Sequence, residues 1–226
     1  MRKTKIITTE DVLITLCKSV SETLSKATGK KVTYSPMVQK ISRTCLKPDV
    51  ACFVLFDGGF NGIVVNNFTA DAAIEIYQDY MKNMGMPESE ISQSYMADDV
   101  ANVLGELMNQ CVGGFTHKIK SELQTNITQS QPKMLVINKS VNISVDTVME
   151  RPQARRVSFS TSDSNIFYLE LAMDKTEFIK LHDFELEAEY DPDDIIASSQ
   201  NVKKSKNKTE TIADIADDDF MAELGL

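Results

Sequence analysis

A glycine-rich turn between two apolar runs fixes the middle of this 226-residue chain. Val50-Ala-Cys-Phe-Val-Leu-Phe56 is followed by Asp57-Gly58-Gly59 and then by Gly62-Ile-Val-Val65. Strand formers on both sides of Asp-Gly read as a β-hairpin. A hairpin is marginal in water unless other elements cover it, and the flanking sequence supplies helices. Thr8-Thr9-Glu10-Asp11 is a helix start ahead of Val12, Leu13, Leu16, Val20 and Leu24, which recur at helical spacing, and Gly29 is a natural stop. A second helix runs from Thr69 to Lys82, closed by Gly85 and Pro87. Asp98 or Asp99 opens a third, whose apolar face carries Val100, Val103, Leu104, Leu107, Cys111 and Phe115. Val32-Thr33-Tyr34 reads as a strand before the hairpin. Met134–Val136, Val141–Val145, Arg155–Ser160 and Ile166–Leu171 read as strands after it, and Phe178 to Glu187 fits either type. The expected fold class is α+β: a curved antiparallel sheet flanked by long helices.

Composition narrows the function. A net charge of −9 argues against nucleic acid or an anionic membrane as principal partner. No apolar run approaches the roughly 18–20 residues of a membrane span, and the first ten residues lack a signal-peptide core. Cys17, Cys45, Cys52 and Cys111 are scattered through apolar segments without a CxxC, so they read as reduced, half-buried thiols. With only His117 and His182 as imidazoles, a zinc site is not expected, and neither histidine has a partner at telling spacing. The chain reads as cytoplasmic, with no metal or cofactor of its own.

The third helix also has a polar side. At about 100° per residue, Asn102, Glu106, Asn109 and Gly113 fall in one stripe roughly 60° wide, which His117 and Lys120 continue. Glu106 and Asn109 are neighbours on that surface. A carboxylate and a carboxamide there can address one small target, such as a water molecule beside a cation, but they include no nucleophile and too few ligands for a metal. Gly113-Gly114 costs roughly 1 kcal/mol per glycine in a helix interior, which close approach by another backbone would explain. The residues alone favour a solvated face that ends or kinks at these glycines.

Glu22-Thr-Leu-Ser25-Lys-Ala-Thr-Gly29 has the same frame as Glu106-Leu-Met-Asn109-Gln-Cys-Val-Gly113, and each copy has a proline 23 positions after its Ser or Asn, at Pro48 and Pro132. Two helices each leading into strands would suit a pseudo-repeat. A serine hydroxyl cannot present an amide's donor and acceptor together, so only the second copy would be competent.

Glu106-x2-Asn109-x22-Pro132, on a helix that follows an α–β–β–α pattern, resembles the signature of the CheC/CheX/FliY family of chemotaxis phosphatases. One complete copy is the CheX-like arrangement. The resemblance implies a CheC/CheX-like fold over roughly residues 8–185 and, as substrate, the aspartyl phosphate of a CheY-type response-regulator receiver that supplies its own Mg²⁺ and lysine. It implies that Asn109 positions the attacking water and Glu106 pairs with the receiver lysine, with Asn102 and Gly113 at the partner surface. It also brings dimerisation through sheet edges. One departure stands out: the family's Asp/Ser position, four before the Glu, is Asn102 here. A non-catalytic module binding a receiver or motility-complex protein, and a dimeric scaffold, are the alternatives.

Residues 1–190 are expected to form the phosphatase domain, and 191–211, with almost nothing to bury, a flexible linker. Residues 212–226 end in Asp217-Asp-Asp-Phe-Met-Ala-Glu-Leu-Gly-Leu226, a short amphipathic segment that resembles the receiver-binding tail of the CheZ phosphatases. By that likeness Phe220, Met221, Leu224 and Leu226 would hold the receiver near the Glu106/Asn109 helix at high effective concentration.

Overall fold

The computed structural model describes residues 5–137, 141, 143–145, 148–149 and 151–180. Helix α1 (Thr9–Thr28) begins at a reciprocal cap: the Asp11 N–H donates to Thr8 Oγ1 and Asp11 Oδ2 accepts from the Thr8 N–H at 2.8 Å. It closes on Gly29, whose φ of +69° suits glycine. Helix α2 (Ala70–Asn83) is capped by Thr69, whose hydroxyl accepts from the Ala72 N–H. Helix α3 (Asp98–Leu123) runs through Gly113-Gly114 without ending.

Only the second of the two glycines has a steric reason to be there. A Cβ on Gly114 would lie 2.8 Å from the hydroxyl oxygen of Ser19 on α1, which is buried and donates to the Cys111 carbonyl at 2.8 Å. The close approach is therefore made by a side chain of α1, not by a backbone. A Cβ on Gly113 would meet only Gln129 Nε2, at an ordinary 3.9 Å. Gly113→Ala should then stabilise by up to about 1 kcal/mol through helix propensity. Gly114→Ala should destabilise by about 1–2 kcal/mol, because overpacking forces Ser19 off its carbonyl. Urea unfolding reads both, and equal shifts would remove the steric distinction.

The strands are β1 (Lys5–Thr8), β2 (Thr33–Ile41), β3 (Thr44–Leu46), β4 (Val50–Gly58), β5 (Gly62–Phe68), β6 (Ile127–Gln129), β7 (Lys133–Val136), β8 (Ile143–Val145), β9 (Pro152–Ser160), β10 (Ile166–Asp174) and β11 (Glu177–Lys180). The main sheet is antiparallel in the order β2-β9-β10-β5-β4-β6, with β7 also on β4; β1 pairs β11 and β3 pairs β8. Alternate residues of a strand face opposite ways, and here both ways lead to a core. Val64, Phe68, Leu169 and Leu171 pack in one cluster with Leu16, Ile76, Leu104 and Phe115 of the helices. Ile63, Val65, Ala51 and Ala172 pack in a second cluster with Leu46 of β3 and Ile137. This is why all of β5 is buried.

The expected α+β class, with an antiparallel sheet and three helices, is what the chain adopts. Three short strands, β1, β3 and β6, were not legible. The segment from Phe178 begins as strand β11, and its part beyond residue 180 lies outside the described residues. Cys17, Cys52 and Cys111 are fully buried rather than half-buried, and burial pushes each thiol up to about 12. All four cysteines are unpaired.

Two polar clusters brace the sheet. Glu170 of β10 is wholly buried on the β3 side: its carboxylate accepts from Arg156 Nε at 2.9 Å and Nη2 at 2.6 Å, and from the Cys45 N–H at 3.0 Å. Glu75 of α2 receives the β9–β10 turn, accepting from the hydroxyls of Thr161 and Ser162, from Asn165 Nδ2 and from the Asp163 N–H. Burial alone would push the Glu75 carboxyl up, but these hydrogen bonds outweigh it and hold it below its ordinary value of 4.5. A carboxyl lowered by folding adds stability that is fully present above its unfolded value and is lost as pH falls through its folded one. The stability gap between the wild type and Glu75→Gln should therefore be widest at neutral pH and narrow progressively below about pH 4.5. Urea unfolding at stepped pH checks this, and a gap that does not change with pH would contradict it.

Candidate functional site

Asn102, Glu106 and Asn109 are all exposed on α3 and line one open cleft of about 370 Å³. Ala101 and Gly105 complete the helix side, and Gln131, Pro132 and Met134 form the facing wall. The wall is built by an irregularity in the sheet. Strand β4 pairs with β6 as far as Phe56–Gln129 and resumes with β7 at Phe53–Lys133. Three residues, Ser130 to Pro132, thus stand opposite two, Val54 and Leu55, which makes a bulge. Ser130 secures it: its N–H donates to the Leu55 carbonyl at 2.8 Å and its hydroxyl accepts from the Leu55 N–H at 3.0 Å. Proline is tolerated at a bulge because it has no N–H to lose there. The interval between Asn109 and Pro132 is therefore the chain needed to finish the helix and return along β4 to face it.

The two central side chains have defined partners. Glu106 Oε1 accepts from Gln110 Nε2, one turn along, at 3.2 Å; its other oxygen has no donor among the described residues. Asn109 Oδ1 accepts from Gln129 Nε2 at 2.9 Å, and the same Nε2 reaches the Asn109 carbonyl at 3.3 Å. Asn109 Nδ2 has no acceptor among the described residues. These two side chains thus present one carboxylate oxygen and one amide donor, with a second lone pair on Asn109 Oδ1. That set can hold water or a phosphoryl oxygen in place, and it holds no nucleophile. Among the described residues no three His, Cys, Asp or Glu side chains cluster as a metal site would require.

Gly113 lies one turn beyond Asn109, beneath Gln129, and does not line the cleft. Phe220, Met221, Leu224 and Leu226, the linker 191–211 and His182 lie outside the described residues. Gln129 is the residue that sequence reasoning missed, because Thr125 to Gln131 reads as a polar connection. The signal was the β-branched pair Ile127-Thr128 just ahead of it.

In the first copy of the motif the same groups are spent on structure. Glu22 Oε2 pairs with Lys118 Nζ of α3 at 2.7 Å. Ser25 Oγ accepts from the Val32 N–H at 2.9 Å. Its glycine, Gly29, ends α1, whereas Gly113 sits inside α3.

Among the described residues no helix is long and apolar enough to cross a membrane. No curated protein matches the sequence. Solved structures do match in fold. The chemotaxis protein CheX from Desulfovibrio desulfuricans aligns with a TM-score of 0.60 at 18% identity, over 73% of this chain and 99% of its own. FliY from Thermotoga maritima aligns with a TM-score of 0.52 at 18% identity, over 72% and 84%. A CheX–CheY–BeF₃–Mg²⁺ complex from Borrelia burgdorferi contains a chain that aligns with a TM-score of 0.51 at 16% identity, over 73% and 99%. The fold is therefore that of the CheX and CheC-like chemotaxis proteins. A family model matches residues 3–226, and the chain belongs to that family, DUF3334, described as a protein of unknown function.

Proposed function

We propose that this protein accelerates hydrolysis of the aspartyl phosphate on a CheY-type receiver domain. The observation that carries the reading is the open cleft in which Glu106 and Asn109 stand exposed on one helix opposite Pro132. The shared fold, and the presence of CheY beside the aligned Borrelia chain, support the partner class. Acyl phosphate hydrolysis needs a water placed in line with phosphorus and stabilisation of spreading charge, and little covalent chemistry from the protein. Asn109 can do the placing: its free lone pair accepts from the water while Nδ2 donates to a phosphoryl oxygen. Glu106 has one uncommitted oxygen for the receiver's lysine, which sets the register of docking. Asn102, one turn before Glu106, contributes a neutral amide where the family's pattern has Asp or Ser. The Mg²⁺ belongs to the receiver under this reading.

The test follows loss of phosphate from a CheY-type receiver phosphorylated with acetyl phosphate, with and without the full chain. Acceleration that vanishes in Asn109→Ala supports the reading. Binding without acceleration makes the protein a receiver-binding module and overturns it.

A further inference from the structure

The geometry points to Gln129 as a positioning residue that decides which end of the Asn109 amide the cleft receives; this rests on the reading of Asn109 given above. The argument is one of donors and acceptors. The main-chain carbonyl of Asn109 can only accept, so the group of Gln129 that meets it at 3.3 Å must be the amide Nε2. That same Nε2 lies 2.9 Å from the Asn109 side chain, so the atom facing it must be Oδ1. One fixed acceptor on the backbone therefore sets the orientation of both carboxamides in sequence. Asn109 is left with Nδ2 as its free donor in a residue that lines the cleft.

Gln129 is itself held. It is half-buried on β6, opposite Phe56 in the β4 ladder, one residue before the bulge that carries Pro132. The Thr116 hydroxyl lies beside it and gives its single proton either to Gln129 Oε1, at 3.4 Å, or to the Gly113 carbonyl, at 3.0 Å. A Cβ at Gly113 would stand 3.9 Å from Nε2, an ordinary contact, so the arrangement does not depend on that glycine. The sheet thus reaches across to the helix and orients the one side chain on which in-line attack depends. Without it the amide is free to turn over, and half of its orientations would offer an acceptor where a donor is needed.

Two substitutions of similar size separate this role from packing. Gln129→Met removes both hydrogen bonds, and Gln129→Glu puts oxygens against the Asn109 carbonyl and Oδ1, which favours the reversed amide. In the phosphate-loss assay with a CheY-type receiver phosphorylated by acetyl phosphate, the saturated rate should fall about tenfold in Gln129→Met and further in Gln129→Glu, with KM within about twofold of wild type. A second measurement is independent of activity: the side-chain ¹⁵N–¹H₂ signal of Asn109 in the full chain should report a rigid amide in the wild type and a mobile one in Gln129→Met. Unchanged mobility in that variant overturns the proposal whatever the rates do. Lost order with a wild-type saturated rate also overturns it. If the wild type itself fails to accelerate phosphate loss, the phosphatase reading falls, and the amide signal alone then decides whether Gln129 orients Asn109.

Discussion

Asn109→Ala is expected to lower the accelerated rate of phosphate loss from a phosphorylated CheY-type receiver by about 100-fold or more, while receiver affinity stays within about twofold. Removing a single preorganised donor from a site that stabilises developing charge costs about 10²–10³ in rate, and the truncation removes a donor and an acceptor together. Affinity is spared because Asn109 is one exposed polar residue in a docking surface of ordinary size, where most truncations change little. Asn109→Asp separates the two halves of the amide. It keeps an oxygen for Gln129 Nε2 but has no N–H for the phosphoryl group. It should be as slow as Asn109→Ala. A near-wild-type rate in the Asp variant would show that the donor is not needed.

The largest effect on stability is expected from Glu170→Ala, at about 3–5 kcal/mol. The carboxylate is wholly buried and takes three hydrogen bonds, two from the Arg156 guanidinium and one from the Cys45 N–H. Removing it strands a mostly buried cation and an amide of β3, a strand of only three residues. A loss of that size is a large part of the stability of an ordinary domain. Glu170→Gln keeps an acceptor and the volume, so about half the loss should return. Because the second cluster lies across the sheet from α3, the rate per folded molecule should not change in either variant. Urea unfolding checks the first expectation, and a Glu170→Ala variant within about 0.5 kcal/mol of wild type would refute it.

The helices were legible because their signals are local. Thr8 and Asp11 cap one another three residues apart, and Leu13, Leu16, Val20 and Leu24 repeat at helical spacing with no help from the rest of the chain. The central hairpin was legible for the same reason. Strands β1, β3 and β6 were not, since three or four residues hold no period and their pairing depends on partners far away; Lys5–Thr8 pairs with Glu177–Lys180. The cleft was half legible. Glu106 and Asn109 announce themselves by their spacing on α3, whereas the wall opposite is a bulge, which exists only through what β4 does. Gln129 escaped for that reason: its bond to Asn109 is a meeting of sheet and helix. Gly113 and Gly114 show the limit from another side, because of two adjacent and identical residues only Gly114 has a neighbour, Ser19, that leaves no room for a side chain.

Two prolines at the borders of the main sheet bear on self-association. Strand β2 slips register between Tyr34 and Val38, around Pro36, and the opposite border is broken at Pro132. Neither border of the described sheet therefore offers a long unbroken row of main-chain amides to a neighbouring molecule; on β2 the longest run free of proline is Met37–Ile41. Interruptions of this kind guard β-proteins against fibril-like stacking in crowded solution. Here one of them also shapes the wall of the cleft beside α3, so a substitution that smoothed the chain at Pro132 would remove a safeguard against aggregation along with the wall.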